Sequence, residues 1–260
     1  MIDRPELTTL FRPHVFRVLL GVFAMALPGK ILWSQDVLPY VEVGAGQKQG
    51  DFGTATRSTL GLAYITYGAS GSRWDANLTV PYLRVGREGG GISTNDQGLG
   101  DIVARGIYRF LPETEDGWSL DGIGALKLPT ASETKGLGTG RSDAGVFLAL
   151  NQQMGLFRWT VQAGRIQGAS GNPSVTTEPL TSGASVLGIS GSWYFDGTRW
   201  DLSFEARGPA YQGLPGVREL ALDVFHPLSP KWGIKVLVTA GLSDGGPRQG
   251  FGVALIRVFP

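Results

Sequence analysis

Gly250-Phe-Gly-Val-Ala-Leu-Ile-Arg-Val-Phe259 alternates in character from residue to residue and carries an aromatic residue at its end. Side chains two positions apart in a strand share a face, so Phe251, Val253, Leu255 and Phe259 form one apolar face. The opposite face begins with small residues, glycine and alanine. This pattern is typical of the closing strand of a membrane β-barrel, with large side chains toward lipid and small ones toward the lumen. An edge strand of a soluble β-sandwich is the alternative.

The composition favours the barrel. The chain has 260 residues, of which 40 are glycine and only 17% are charged, and its mean hydropathy is +0.02. A value near zero excludes a bundle of transmembrane helices, whereas a barrel produces it because alternate residues face lipid and lumen. The length fits one all-β domain. The chain has no cysteine, which suits a protein that crosses an oxidising compartment.

The first 35 residues are predicted to be a signal peptide. Three arginines, Arg4, Arg12 and Arg17, precede an uncharged apolar run over 18–27. A run of this length is too short to span a bilayer as a helix, so a retained anchor is disfavoured. The cleavage site stays open between Ala24-Met-Ala26 and a position near Ser34. The mature barrel is therefore expected to occupy residues 36–260.

Charge argues against nucleic acid as a partner. The whole chain has 23 basic and 22 acidic residues, and the predicted signal peptide contains four of the basic and two of the acidic ones. The mature protein then has a net charge near −1. Proteins that bind nucleic acid normally carry a basic excess or a basic stripe, so we expect no such function.

About twelve strands follow from the alternation. The connections alternate between short turns and longer loops rich in glycine and polar residues, as expected if one rim of a barrel faces the periplasm and the other the outside. An even number of strands suits a single-chain antiparallel transmembrane barrel. The predicted strands are 39–47, 54–67, 73–85, 98–110, 118–128, 143–154, 157–168, 184–196, 199–208, 217–228, 231–242 and 249–259.

The two faces of individual strands agree with this topology. In the segment 74–82, Trp74, Leu78, Val80 and Tyr82 share the outward face, and the opposite face is polar. Strands of about eleven residues, tilted near 40°, reach roughly 27 Å along the axis, which matches an apolar band of about 25 Å. Aromatic residues recur at one end of the strands and predict an interfacial girdle. They are Trp118, Trp200, Trp232, Tyr108, Phe110 and Phe195.

The lumen of a twelve-stranded barrel is intermediate between a filled core and a wide channel. A narrow polar pore or a plugged one would both fit. Its predicted inward face interleaves charges of both signs, at Asp75, Arg105, Arg109, Asp121, Lys127, Asp143, Asp201, Glu205, Arg207, Glu219, Asp223 and Lys235. We expect a pore lined by Arg105, Arg109, Asp121, Lys127, Asp143, Asp201, Glu205 and Arg207. These residues could form a neutralised ion-pair network that holds the wall, or a selectivity constriction.

No catalytic constellation stands out. His226 is the one histidine after the predicted signal peptide and is expected at the membrane interface, facing outward. No Gly-x-Ser-x-Gly motif occurs, and neither a histidine pair nor cysteine offers a metal site. Gly136-Leu-Gly-Thr-Gly140 lacks the lysine and the following helix of a phosphate loop, so we expect a flexible external loop there. The prediction is a protein that is not an enzyme and that has no catalytic, cofactor or metal site.

An ordered series of fragments resembles one known family. The series is firmest over residues 78–145 and is similar to the MetA-pathway phenol-degradation family of outer-membrane transporters. Its fragments are Val80-Pro-Tyr-Leu-Arg-Val85, Gly98-Leu-Gly-Asp101, Tyr108-Arg-Phe110, Leu126-Lys-Leu-Pro-Thr130, Gly136-Leu-Gly-Thr-Gly140 and Asp143. The resemblance implies a pore or transporter in the outer membrane, often associated with the uptake of aromatic or other hydrophobic compounds, without catalytic residues.

These observations together favour an outer-membrane channel for passive uptake of small solutes. Its partners would be outer-membrane lipid, the solute, and the barrel-assembly machinery, which would recognise the last strand. The alternative is a non-conducting structural barrel whose external loops bind a partner, and a lipid hydrolase is a more distant one. Conduction by the purified protein separates the first two.

Overall fold

The computed structural model describes residues 37–51, 56–89, 91–114, 116–168, 183–209 and 215–259. The predicted signal peptide lies outside these ranges and stays a prediction. None of the described residues belongs to a helix long and apolar enough to cross a membrane. The described strands are β1 (Leu38–Gly50), β2 (Arg57–Ser70), β3 (Trp74–Gly89), β4 (Ile92–Leu99), β5 (Ile102–Leu111), β6 (Trp118–Leu128), β7 (Asp143–Met154), β8 (Phe157–Gly168), β9 (Ala184–Phe195), β10 (Thr198–Arg207), β11 (Val217–Ser229), β12 (Trp232–Gly241) and β13 (Gln249–Val258).

The strands close into one antiparallel barrel. β1 pairs with both β13 and β2, and β2 pairs with β3, so the sheet joins its first and last strands. On its other edge β3 pairs with β4 over one half of its length and with β5 over the other. β4 and β5 therefore share one position in a barrel of twelve. The prediction of an all-β, single-chain antiparallel barrel of about twelve strands is confirmed.

Pro81 accounts for the break between β4 and β5. Between the Cα pairs Tyr82↔Leu99 and Thr79↔Val103, two residues of β3 face three residues of the neighbouring chain. Proline has no N–H to donate to the ladder, and its carbonyl oxygen instead accepts a bond from the Gly100 nitrogen at 2.9 Å. The extra residue makes a β-bulge. This irregularity takes Asp101 out of the ladder and leaves it available for contacts in the lumen.

The predicted long connection over 86–97 is wrong. β3 continues to Gly89 and β4 begins at Ile92, with pairing from Arg84↔Gln97 to Gly89↔Ile92. The outward side chains of this hairpin are polar or absent, as at Gly86, Glu88 and Asn95. A strand pair that extends beyond the lipid band has no apolar face to bury, so the alternation used to recognise the other strands is missing there.

The two rims of the barrel differ. The terminal end is the rim where β1 begins and β13 ends, and its connections in the described chain are short, such as 155–156, 196–197 and 230–231. The loop end is the opposite rim, which carries the longer connections, including 129–142 and 242–248. This alternation of short turns and long loops is the one expected from the sequence.

The outward face is apolar with aromatic residues toward the terminal end, as predicted. Trp118 and Trp159 contact each other edge to face, with ring centroids 5.3 Å apart, and Phe157 lies 5.1 Å from Trp193. Phe195 is 73% exposed at the same rim. Exposed aromatic rings in such a row are suited to the boundary between hydrocarbon and headgroups.

Arg257 interrupts the apolar face of β13, and the structure explains its presence. Its guanidinium lies 5.2 Å from the centroid of the Trp232 ring and 4.8 Å from that of Phe259. A guanidinium over aromatic faces gains a cation–π attraction, and a long side chain near the rim can keep its charge at the interface. The arginine thus belongs to the girdle at the terminal end.

Replacing Phe259 with alanine is expected to lower the yield of folded barrel. The Phe259 nitrogen donates to the Pro39 carbonyl at 2.9 Å, so this residue lies where β13 meets β1. Loss of its ring removes the cover of Arg257. It also removes the aromatic residue by which we expect assembly machinery to recognise β13. Heat-modifiable migration on gels measures the folded fraction. Phe251→Ala, which removes an exposed ring from the same face of the same strand, is the control, and equal yields for both variants would contradict this role.

Candidate functional site

The register places all eight predicted pore-lining residues on the inward face of the barrel. They occupy alternate positions on β5, β6, β7 and β10, facing the same side as Asp75 and Asn77 of β3. Seven of them form ion pairs with described residues, and the exception is Arg105. Whether these residues line a conducting pore stays a prediction, but the structure separates the paired charges from the unpaired one.

A buried charge cluster lies in the lumen near the loop end. Nζ of Lys127 is 2.6 Å from Oδ2 of Asp143, 3.3 Å from Oδ2 of Asp101 and 2.6 Å from the Thr139 hydroxyl. The side chains of Lys127 and Asp143 are 5% and 2% exposed. The short distance between two side chains this buried makes the Lys127–Asp143 contact an ion pair shielded from water. We call Lys127, Asp101 and Asp143 the Lys127 cluster.

A second inward cluster lies toward the terminal end. Arg109 pairs with Asp121 across neighbouring strands at 3.1 Å. The other carboxylate oxygen of Asp121 accepts a bond from Asn151 at 3.1 Å, and Asn151 in turn accepts one from the Thr160 hydroxyl at 2.8 Å. Both carboxylate oxygens of Asp121 thus have a donor. Asp121 belongs to a network of side-chain hydrogen bonds that links β5, β6, β7 and β8. Arg109 and Asp121, both predicted on the inward face, thus lie directly opposite each other on neighbouring strands.

A third set of charges spans the opposite side of the barrel. Glu42 accepts bonds from Lys235 and from the Tyr64 hydroxyl, the latter at 2.6 Å. Asp201 pairs with Arg199 at 2.7 Å. The remaining contacts are Arg207 with Glu205 at 3.0 Å and Lys48 with Glu219 at 3.8 Å. Directly opposed carboxylates, Asp201↔Asp223 and Glu205↔Glu219, are therefore each flanked by cations.

Several side chains of the inward face are partly exposed. The side chains of Arg199 and Glu205 are 42% and 40% exposed although both lie on the inward face. Arg105 is also exposed, and no carboxylate among the described residues lies within ion-pair distance of it. Its neighbours across the strands are Asn77 and Ala125. Arg105 is thus an exposed positive charge on the inward face.

Inward aromatic rings lie against glycines of neighbouring strands. The ring of Tyr64 occupies the space where Gly44 would carry a Cβ, and the ring of Tyr40 does the same at Gly68. Phe147 lies on Gly164 in the same way. A side chain on the glycine would push each ring away from the wall. The three glycines therefore allow these rings to lie close to the wall.

Two expectations about individual segments have different outcomes. Gly136-Leu-Gly-Thr-Gly140 is not a free external loop, because Leu137 is 2% exposed and packs against inward residues of β2 and β3. His226 faces outward near the terminal end, as predicted, and its Nδ1 lies 2.8 Å from the Thr198 hydroxyl.

Among the residues that the structure describes, no group of three or more His, Cys, Asp or Glu could hold a metal ion.

Sequence reasoning missed several inward charges. Glu42 and Lys48 alternate on β1 in the same phase as Tyr40, so the period-2 rule could have identified both. Arg199 has the same relation to Asp201 on β10. Asp101 could not be assigned in this way, because the bulge opposite Pro81 interrupts the alternation. Alternation was therefore sufficient for Glu42, Lys48 and Arg199 and insufficient for Asp101.

Solved structures with the same architecture are outer-membrane barrels. An outer-membrane channel from Pseudomonas putida F1 has a TM-score of 0.68 at 14% sequence identity, over 89% of this chain and 99% of that one. The KdgM porin has a TM-score of 0.56 at 8% sequence identity, over 85% of this chain and 99% of the porin. The translocator domain of the autotransporter NalP from Neisseria meningitidis has a TM-score of 0.52 at 11% sequence identity, over 97% of each chain. No family model and no curated protein matches the chain. These likenesses show the fold, and the phenol-pathway family stays a prediction.

Proposed function

We propose that the protein is a passive outer-membrane channel for small solutes. The observation that carries this proposal is the hydrated inward face, where charged side chains such as Arg199 and Glu205 keep about two fifths of their surface exposed. Charges inside a barrel that had no water would be costly, so their exposure points to an aqueous passage. The neighbouring solved structures include a channel and a porin with the same fold.

The pattern of ion pairs supports a passage with a stiff wall. The Lys127 cluster and the Arg109–Asp121 pair tie neighbouring strands together across the lumen side. Rings that lie close to Gly44, Gly68 and Gly164 are held against the wall. The resemblance to the phenol-degradation family extends the proposal to small aromatic or hydrophobic solutes. No residue is assigned a catalytic role.

Localisation in the outer membrane is part of the proposal. The apolar outward face and the aromatic rim suit a protein surrounded by lipid, and barrel-assembly machinery would be expected to recognise β13. We expect the protein in the outer-membrane fraction, with migration on gels that changes on heating. Recovery as a soluble periplasmic protein would contradict this placement.

Conduction is tested with the purified protein in a planar bilayer. We expect discrete single-channel steps in potassium chloride solution, because the inward face is charged and hydrated. Liposome swelling with uncharged sugars provides an independent measurement of solute passage. A folded, heat-modifiable protein that produces neither current nor swelling would favour the non-conducting barrel whose external loops bind a partner.

A further inference from the structure

The connection between β6 and β7, residues 129–142, folds into the barrel at the loop end. Its Leu137 packs against Leu60, Leu83 and Val85, and is 2% exposed. A Cβ built on Gly98 of β4 would lie 2.9 Å from Cδ1 of Leu137. Gly98 and the three packing partners all occupy inward positions. The loop therefore lies inside the wall, over the inward faces of β2, β3 and β4.

The loop extends along a considerable part of the inner wall. It starts at the end of β6, and the most distant member of the buried cluster that contains Leu137 is Leu60 on β2, three barrel positions away. Neighbouring strands are about 4.8 Å apart, so this distance is about 14 Å along the wall. Since the barrel has twelve positions, the loop covers about a quarter of the circumference. A segment of this extent inside the wall narrows the opening.

Leu137 packs on an apolar patch of the wall, which we call its seat and which differs from most of the inward face. Leu60, Leu83 and Val85 are 5%, 7% and 3% exposed, and Leu62 and Ala131 extend the patch. Without the loop these side chains would face water at the mouth of a polar lumen. Burial of the patch under Leu137 is favourable because it removes apolar surface from water. The sequence thus provides an apolar seat and an apolar side chain that fits it.

Polar contacts hold the loop on both sides of Leu137. Before it, the Ala131 nitrogen donates to Oδ1 of Asp101 at 3.0 Å, and after it the Thr139 hydroxyl contacts Lys127. Arg87 donates to the Gly136 carbonyl at 3.3 Å. Gly136 has a φ of +66°, a conformation that favours glycine, so the backbone can turn there and direct the next side chain into the seat. The Lys127 cluster therefore anchors the loop as well as the strands.

We infer that residues 129–142 form the size-limiting constriction of the passage at the loop end, with Leu137 as the side chain that holds it in place. This inference rests on the proposed channel function and assigns the size limit to one segment. The terminal end, whose connections in the described chain are short, has no comparable inward segment there.

The test compares passage through the wild type with passage through two variants of the loop. Leu137→Asn places an amide in the apolar seat and should release the loop. In the second variant Gly-Gly replaces residues 132–140. Leu242→Asn is the matched control, because Leu242 belongs to another connection at the loop end and is 53% exposed. We expect a conductance roughly twofold higher in both loop variants, together with entry of a larger sugar in liposome swelling. The control should match the wild type.

Thiol labelling reports the position of Leu137 without relying on conduction. The chain has no cysteine, so Leu137→Cys and Leu242→Cys each introduce one reactive site. A bulky maleimide should react with the Leu137→Cys barrel at least about tenfold more slowly than with the Leu242→Cys barrel. The reaction at position 137 can occur only after the loop has left its buried position. Equal labelling rates in folded barrels would overturn the inference.

The outcomes separate the inference from the function on which it rests. A conducting wild type whose conductance and sugar limit are unchanged in both loop variants would overturn the constriction and leave the channel. A wild type without current would overturn the proposed passive channel. If the shortened loop then conducted, the loop would be a complete barrier, which supports its assignment as the segment that limits passage.

Discussion

Replacing Lys127 with methionine is expected to lower the free energy of unfolding by about 3–5 kcal/mol, because it leaves two buried carboxylates without their cation. Asp101 and Asp143 both lie within ion-pair distance of Nζ of Lys127, and their side chains are 8% and 2% exposed. Methionine preserves much of the volume but supplies no charge and no donor. Chemical denaturation of the barrel in lipid or detergent, followed by tryptophan fluorescence, measures the change.

Two variants make the origin of this loss clear. Combining Lys127→Met with Asp101→Asn and Asp143→Asn removes all three charges and should recover part of the stability, since neutral groups are less costly to bury. Lys235→Met is the matched control, because Lys235 also faces the lumen and pairs with Glu42, but its side chain is 25% exposed. A loss for Lys127→Met no greater than that of the control would contradict the importance of burial.

The barrel was predictable because its decisive signal is local. Alternation along β3, β10 and β13 depends only on neighbouring residues, and a barrel whose outward face meets lipid requires it of each strand in turn. The hairpin of β3 and β4 beyond residue 86 was missed because that environment no longer imposes an apolar face. The break opposite Pro81 required the pairing register, which one strand alone does not reveal.

The lumen was only partly predictable. The inward phase of Arg105, Arg109 and Asp121 follows from alternation, but the partner of each charge depends on cross-strand register. Leu137 lies among glycines and polar residues, a composition typical of an external loop. Its apolar seat is made of Leu60 and of residues on β3, which are distant in sequence. An isolated leucine in a glycine-rich loop, opposite inward-facing leucines, was the one available signal.

Replacing Arg105 with serine is expected to shift the selectivity of the passage toward cations with little change in stability. Arg105 faces the lumen, is exposed, and has no carboxylate partner among the described residues, so its charge acts on passing ions. Removing a fixed positive charge from a narrow aqueous passage lowers the barrier for cations. The reversal potential in a salt gradient measures the shift, and the free energy of unfolding should change by less than about 0.5 kcal/mol.

Arg109→Ser is the matched comparison, because the two arginines share one face of β5 but differ in their partners. Asp121 loses its cation in this variant and keeps Asn151, so we expect a stability loss on the order of 1 kcal/mol. The paired charge of Arg109 is already compensated, and the selectivity shift should be smaller than for Arg105. The double variant should combine the selectivity change of one with the stability change of the other. Equal shifts in reversal potential for the two single variants would mean that pairing with Asp121 does not screen Arg109. No shift in either would place the ion path away from β5 and would leave its inward arginines as parts of the wall alone.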